Sequence, residues 1–339
     1  MESVPVAEAS AVAEARRRTE ALADRLGFPE EARSRAAIVA TELATNVVKY
    51  GGGGEVLVAP YEDSTGAGLQ LVALDRGPGM ADPGACLGDG YSTGGSAGTG
   101  LGAVRRLSQA FDLHSAPGQG TAIVARLEAH PTGRPGRPGP VPAWAALAVP
   151  LKGEPVCGDS YCLRPFGEAA SGGWTVVLAD GLGHGPQAAE ASDAAIHLFR
   201  DREADAPREI LQAVHAGIRH TRGGAVSVAR YEPHRDVLVF AGLGNVLGAV
   251  VAPHGEVRRT LSHAGTAGHV ARRIQEFEYP FPPGSLFVMH SDGIGSGWSL
   301  EPYPGLAAAH PALLAAVLYR DFGRGRDDAG VVVARARLP

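Results

Sequence analysis

Residues 69–80, LQLVALDRGPGM, and residues 84–102, GACLGDGYSTGGSAGTGLG, decide how the first half of this chain is read. The first stretch is an apolar strand-like run that ends in Asp75 and enters a turn at Gly77 and Gly79. An acid at a strand end can accept a hydrogen bond from an adenine amino group, and glycines let the backbone approach a flat ring closely. The second stretch holds eight glycines and leads straight into the helical AVRRLSQAF. A glycine-rich segment ending at a helix N-terminus cradles phosphate, because backbone N–H groups and the helix dipole both favour anions. It has no GK[ST] of a Walker A loop, and no preceding strand supports a dinucleotide fold. Taken singly, Asp followed by Gly and Pro is ordinary turn chemistry, and a glycine run is an ordinary surface loop.

Working outward, residues 8–26 and 30–50 read as helices, with Pro29 suited to the first turn of the second and Gly51–Gly54 ending it. Strands are expected near 55–60 and 69–74, a helix over 100–110, and strands near 111–115 and 121–127, so that helices cover one face of a mixed sheet. On the second helix, TELATNVVKY (41–50) places Glu42 and Asn46 four residues apart and Lys49 three further on, near one face. A carboxylate, an amide and a lysine converging there can orient a nucleophile, a magnesium ion and phosphates; a solvated polar stripe is the plain alternative.

In this order and spacing the three segments resemble the N box, G1 box and G2 box of the GHKL ATPase superfamily. The short distance between the boxes and the phrase DGYSTGGSAGTGLGAVRRL are similar to the anti-sigma-factor and switch-kinase branch, RsbT-like serine kinases of bacterial stress signalling. The resemblance spans about residues 8–128 and implies a Bergerat-type α/β sandwich. It implies that Glu42 is the general base toward an acceptor hydroxyl, that Asn46 binds magnesium and that Asp75 recognises adenine. Gly77, Gly79, Gly98, Thr99, Gly100, Leu101 and Gly102 would shape the nucleotide pocket, with Thr121 supporting the adenine contact and Lys49 the phosphates. ATP and Mg2+ are the implied ligands. A single short helix before Glu42 leaves no room for the phosphoacceptor hairpin of a histidine kinase.

Residues 131–142, PTGRPGRPGPVP, concentrate Pro and Gly too heavily for helix or strand and read as a linker. The segments expected are therefore 1–130, 131–142 and 143–339. At 339 residues the chain exceeds one ordinary core. Beyond the linker, WTVVLAD (174–180) and SLFVMHSD (285–292) are apolar runs ending in Asp, as buried strands delivering a carboxylate would be. AVSVARYEP, DVLVFAGLG and GVVVARARL add further strands, and helices are expected over 186–203, 207–220 and 311–320. The fold class is α/β (α+β), with a β-sandwich flanked by helices in this half. Acids recur at chain reversals: Asp159 in GDSY, Asp180 in ADGLGHG, Asp292 in SDGIGSG, Asp327 and Asp328 in RDDAG. Each Asp-Gly alone is a plain turn, but hard divalent cations prefer oxygen ligands, and a two-metal site needs several acids from separate strands.

These motifs resemble the metal-dependent PPM phosphatases of the SpoIIE-like group, with ADGLGHG and the following PQAAEAS close to the RsbX branch. The resemblance spans about residues 145–339. It implies that Asp180 bridges two Mn2+ or Mg2+ ions with help from the Gly181 carbonyl, and that Asp159, Asp292 and Asp327, or its neighbour Asp328, complete the ligand set. A water activated by the ions would attack phosphoserine, making Asp180 central to catalysis. His184 is a further acid or supporting group, and Cys157 reads as packing. Gly158 stands where larger PPM enzymes carry another acid, and Gly330 where relatives commonly have Thr.

The net charge of −5 and balanced composition disfavour nucleic acid and anionic membrane as partners. Three cysteines without ligand spacing suit a reducing compartment, and the absence of a long apolar run suits a cytoplasmic protein. Of the 31 basic residues only Lys49 and Lys152 are lysines. The two resemblances together imply a serine/threonine protein kinase fused to a serine/threonine protein phosphatase. The implied partner is a STAS-domain antagonist, with a downstream phosphatase or sigma regulator beside it, and a homodimer is among the states allowed. The alternative is an anti-sigma-like binding module whose nucleotide organises a partner surface, leaving the phosphatase as the one active enzyme.

Overall fold

The computed structural model describes residues 1–63, 65–87, 100–130, 143–167, 172–202 and 205–336. In the first part of the chain the elements are β1 (Glu2–Val6), α1 (Ala9–Arg25), α2 (Glu30–Lys49), β2 (Gly54–Asp63), β3 (Gly66–Asp75), α3 (Pro83–Cys86), α4 (Gly100–Leu107), β4 (Ala110–Ser115) and β5 (Thr121–Leu127). Next come β6 (Trp144–Val149), β7 (Asp159–Phe166), β8 (Gly173–Gly181), α5 (Pro186–Arg200), α6 (Pro207–Gly217), β9 (Gly224–Glu232), β10 (Val237–Leu243) and β11 (Leu247–Val251). The remainder are β12 (Val257–Arg259), β13 (Gly265–Thr266), β14 (Val270–Ala271), β15 (Glu276–Pro280), β16 (Leu286–His290), α7 (Pro311–Phe322) and β17 (Ala329–Arg335).

These elements gather into two compact units, one of Met1–Pro142 with Ala308–Arg320, the other of Ala143–Ala307 with Asp321–Pro339. The segments expected from sequence are contiguous; the units are not, because most of α7 packs with the first.

The first unit is built on a five-stranded sheet in the order β1-β2-β3-β5-β4. Every neighbouring pair is antiparallel, where a mixed sheet was expected. Two residues separate β2 from β3 and five separate β4 from β5, connections too short to join parallel strands. Val56, Val58, Leu69, Leu71, Ala73, Ile123 and Ala125 form one face and pack on Ala36, Val39, Ala40, Leu43 and Val47 of α2. Each fully buried Val or Leu there contributes roughly 1.5–3 kcal/mol. Strand side chains alternate, so the intervening Leu57, Val72, Leu74, Ala122 and Val124 point to the opposite face. They too are 2% exposed or less, so both faces are covered rather than one.

The second unit is a sandwich of two five-stranded sheets, β15-β10-β9-β8-β7 and β12-β11-β16-β17-β6. Trp174, Tyr231, Phe240, Phe281, Phe287 and Met289 fill the space between them. The outer side of the first sheet, at Val177, Ala179, Val226 and Val228, is covered by Ile196 and Phe199 of α5 and Ile210, Leu211 and Val214 of α6. Among the described residues no helix is long and apolar enough to cross a membrane.

Candidate active sites

The nucleotide-type site of the first unit lies where α2, the end of β3 and the start of α4 meet. Glu42 and Asn46 are one turn apart on α2, and both side chains face Gly100, the first residue of α4. A Cβ added at Gly100 would stand 2.6 Å from Glu42 Oε2 and 3.9 Å from Asn46 Oδ1, so a side chain there would push the Glu42 carboxylate aside. Asn46 Nδ2 is buried without a hydrogen-bond partner among the described residues. A buried amide N–H left unpaired is costly, which marks a group awaiting an acceptor. Glu42 also lines a groove of about 320 Å³ between α1 and α2, with Arg16, Glu20, Ser34, Ile38 and Thr41.

At the end of β3 the Asp75 carboxylate is almost fully enclosed. Its Oδ1 accepts the Gly77 N–H at 2.9 Å and the Thr121 N–H at 3.1 Å. Burial raises the Asp75 pKa above the ordinary carboxylate value, opposed by those two N–H groups and by the Arg320 guanidinium. The Thr121 side chain bonds the same carboxylate, so Asp75 is held in place from both the following turn and the neighbouring strand. Gly79, at φ +70°, would carry a Cβ 2.0 Å from the Ala116 carbonyl, so no other residue fits the turn after Asp75.

Of the residues picked out from sequence, Glu42, Asn46, Gly100 and the buried Gly102 are brought together by the α2–α4 contact, and Asp75, Gly77 and Thr121 by hydrogen bonds. Leu101 packs against the core beneath α4. Lys49 is exposed at the C-terminal end of α2. Gly98 and Thr99 lie outside the described residues.

The acid site of the second unit sits at one end of the strands. Asp159 opens β7 and is the register partner of Asp180 near the end of β8; Asp292 follows β16, and Asp327 and Asp328 precede β17. The pKa values of Asp159 and Asp180 are both pushed well above the carboxylate range, first by burial. For Asp180 the charges of Asp159, Asp292 and Asp327 add to this, and for Asp159 those of Asp328, Asp327 and Asp292. Mutual repulsion of this kind makes each proton hard to remove, and it is the electrostatic deficit that a divalent cation offsets. The donors are all hard oxygens. Among the described residues, no three such side chains form a ready-made cage, so the acids share a field rather than a common ligation point.

The structure also separates the two adjacent acids. Asp328 engages both carboxylate oxygens with backbone, accepting from Leu151 N at 2.7 Å and Gly158 N at 2.8 Å, which ties β17 to the segment before β7. Asp327 Oδ1 accepts the N–H of the next residue, Asp328, at 2.9 Å. A Cβ at Gly158 would meet Asp328 Oδ2 at 2.7 Å and Ala188 Cβ at 2.8 Å, so an acid there has no room. At Gly330, Ser291 supplies the hydroxyl: its Oγ donates to Asp159 Oδ2 at 2.6 Å and accepts the Gly330 N–H at 2.9 Å.

Asn245 Nδ2 donates to Asp292 Oδ2 at 2.6 Å and holds that acid in place. Ser291 and Asn245 were not found by sequence reasoning, since neither stands in an Asp-Gly turn of its own. His184, on the exposed loop after Gly181, bonds Glu154 Oε1 through Nδ1 at 2.6 Å. Burial raises the Cys157 thiol pKa, in keeping with a packing role.

Comparisons with known proteins fall into two stretches of the chain, and Ala308–Arg320, which packs with the first unit, lies within the second stretch. Residues 6–127 match the histidine kinase-like ATPase domain, and residues 170–337 match Stage II sporulation protein E (SpoIIE). The serine/threonine-protein kinase RsbT of Bacillus subtilis is 38% identical over 104 residues, which are 31% of this chain and 78% of RsbT. The phosphoserine phosphatase RsbX of the same organism is 25% identical over 143 residues, 42% of this chain and 70% of RsbX. A solved chain described under "The bacterial stressosome: a modular system that has been adapted to control secondary messenger signaling" aligns with TM-score 0.52 and 26% identity. The alignment covers 57% of this chain and 98% of that one.

Proposed function

The chain belongs to the RsbT family of serine/threonine protein kinases in its first part and continues into a SpoIIE/RsbX-type PPM phosphatase domain, and from that premise we propose a bifunctional phosphorylation switch. It phosphorylates a Ser or Thr of a STAS-domain antagonist and removes the same kind of phosphate. The observation that carries the kinase half is the convergence of Glu42 and Asn46 on the first residue of α4, with Asp75 anchored at the end of β3.

In this reading Asp75 accepts the adenine amino group and the N–H groups opening α4 hold the phosphates of ATP. Asn46 would hold Mg2+ through Oδ1, and its unpaired Nδ2 suits a phosphate oxygen. Glu42 takes the proton of the acceptor hydroxyl, which enters along the groove between α1 and α2. The hydroxyl oxygen then bonds to the γ-phosphorus as the bond to the ADP oxygen breaks. A positioned general base contributes about 10²–10⁴-fold to such a step.

In the second unit Asp159, Asp180, Asp292 and Asp327, with the Gly181 carbonyl, would hold two Mn2+ or Mg2+ ions, drawing together about them. Bound there, the ions supply a nucleophilic water at neutral pH and neutralise charge on the phosphoryl group. Ser291 and Asn245 orient Asp159 and Asp292, and Asp328 fixes the chain on which Asp327 stands.

Opposing activities in one chain turn over ATP to no effect unless one is favoured, so a partner or nucleotide state must bias them. The test is to incubate the purified chain with labelled ATP and STAS-domain proteins of the same genome, then add Mn2+. Label should pass onto the STAS protein and off again. Tight nucleotide and partner binding with no transfer of label would replace the kinase by the sequestering module.

A further inference from the structure

Helix α7 comes from the far end of the sequence, yet Ala308–Arg320 belong to the first unit. Its residues Ala312–Leu318 are 0% exposed, so the helix is apolar all round and enclosed. Three strands of the first unit hold it. The His310 N–H, just before the helix, donates to Asp112 Oδ2 of β4 at 2.7 Å. Tyr319 Oη donates to Glu55 Oε2 of β2 at 3.3 Å, and Arg320 Nη1 donates to the Asp75 carbonyl of β3 at 3.4 Å.

Asp112 is the register partner of Val124, and Glu55 stands two residues from Leu57, so both acids share the face turned away from α2. The helix therefore crosses that second face, its start at β4 and its end at β2 and β3. At the β3 end the contact is reciprocal, because the Arg76 guanidinium donates to the Arg320 carbonyl. Arg320 itself is 3% exposed, a buried cation placed against the one strand end that carries the adenine-recognising acid.

We infer that Arg320 is a positioning residue of the nucleotide site: it clamps the Asp75–Arg76 backbone from the second face and so sets the Asp75 carboxylate toward the base. This rests on the nucleotide-site reading of Asp75. The clamp acts on one strand end while α4 and Gly100 hold the phosphates independently. Its loss should therefore weaken recognition of the base more than recognition of the phosphates. Binding of nucleotide and seating of α7 are then reciprocally coupled, as any two linked equilibria are.

The experiment measures fluorescent mant-ADP and mant-GDP binding to the full chain. Arg320→Gln should weaken mant-ADP binding about tenfold while mant-GDP changes less than twofold, and Arg320→Lys should recover most of the loss. Should Arg320→Gln not fold, the exposed Arg76→Ala breaks the same clasp and should lower the ADP-to-GDP preference in the same direction. Unchanged mant-ADP affinity in folded variants, or equal loss of both nucleotides, overturns the inference. If the wild-type chain does not bind mant-ADP, or Asp75→Asn binds it as well as the wild type does, the nucleotide-site reading itself fails.

Discussion

The two candidate sites are built on opposite principles. The first is made largely by absence: glycines at 79 and 100 leave room, and one buried acid has its charge partly offset by Gly77, Thr121 and Arg320. The second is made by excess, with burial and the neighbouring acids Asp292, Asp327 and Asp328 raising the pKa values of Asp159 and Asp180. A site that is nearly neutral by itself waits for a ligand that carries its own charge and shape. A site that is overcharged waits for cations. The two should therefore respond to different perturbations, steric in the first unit and ionic in the second.

The strongest break of this contrast is Asp180→Asn. It removes the acid at the centre of the repulsive field, and Mn2+-dependent hydrolysis of p-nitrophenyl phosphate should fall by at least about 10³-fold, with nucleotide binding unchanged. Residual Mn2+-dependent turnover near the wild-type rate would show that the acids are structural. Glu42→Gln comes next: transfer of label to a STAS protein should drop about 10²–10⁴-fold while ADP affinity stays within a fewfold. Loss of binding in step with transfer would assign Glu42 to nucleotide binding instead of proton removal.

Gly79→Ala sharpens the steric side. The added methyl meets the Ala116 carbonyl and a positive φ, so ADP affinity should fall on the order of tenfold, and phosphatase activity should not move. The smallest effect is a pH dependence. Protons compete with cations for Asp159 and Asp180, whose pKa values lie above the ordinary value of about 3.9. Mn2+ affinity measured by calorimetry should therefore keep strengthening as pH rises through the neutral range, where ordinary carboxylates would already have levelled off. The same shifts make the cation-free fold lose stability as pH climbs, because the unfolded chain releases these protons first. A flat affinity from pH 6 to 8 would contradict the shared field.

Much of this was legible in the amino-acid sequence, and the parts that were not have identifiable causes. The α2 trio, Asp75 and the Asp-Gly turns could be read because each sits at a fixed spacing on one local element. Strand β1 was missed because ESVPV carries a proline and an acid; it is an edge strand, where Pro5 forfeits no ladder bond that the sheet needs. Asp327 and Asp328 could not be told apart, since adjacent residues before a strand point to opposite sides and only the partners Leu151 and Gly158 decide which is engaged. For α7, hydrophobicity on every side announces burial without saying where, and its place on a sheet nearly 250 residues earlier follows from Asp112, Glu55 and Asp75 alone.

That placement has a consequence for how the molecule comes apart. A protease nick between residues 131 and 142 severs one peptide bond, yet the last thirteen residues of the first unit ride on the other fragment. The two pieces should co-elute until denatured. A gene ending at residue 142 would lack Ala308–Arg320 and strip Asp112, Glu55 and the Asp75 carbonyl of the partners they have on α7, and its product should be less stable than the same unit in the full chain.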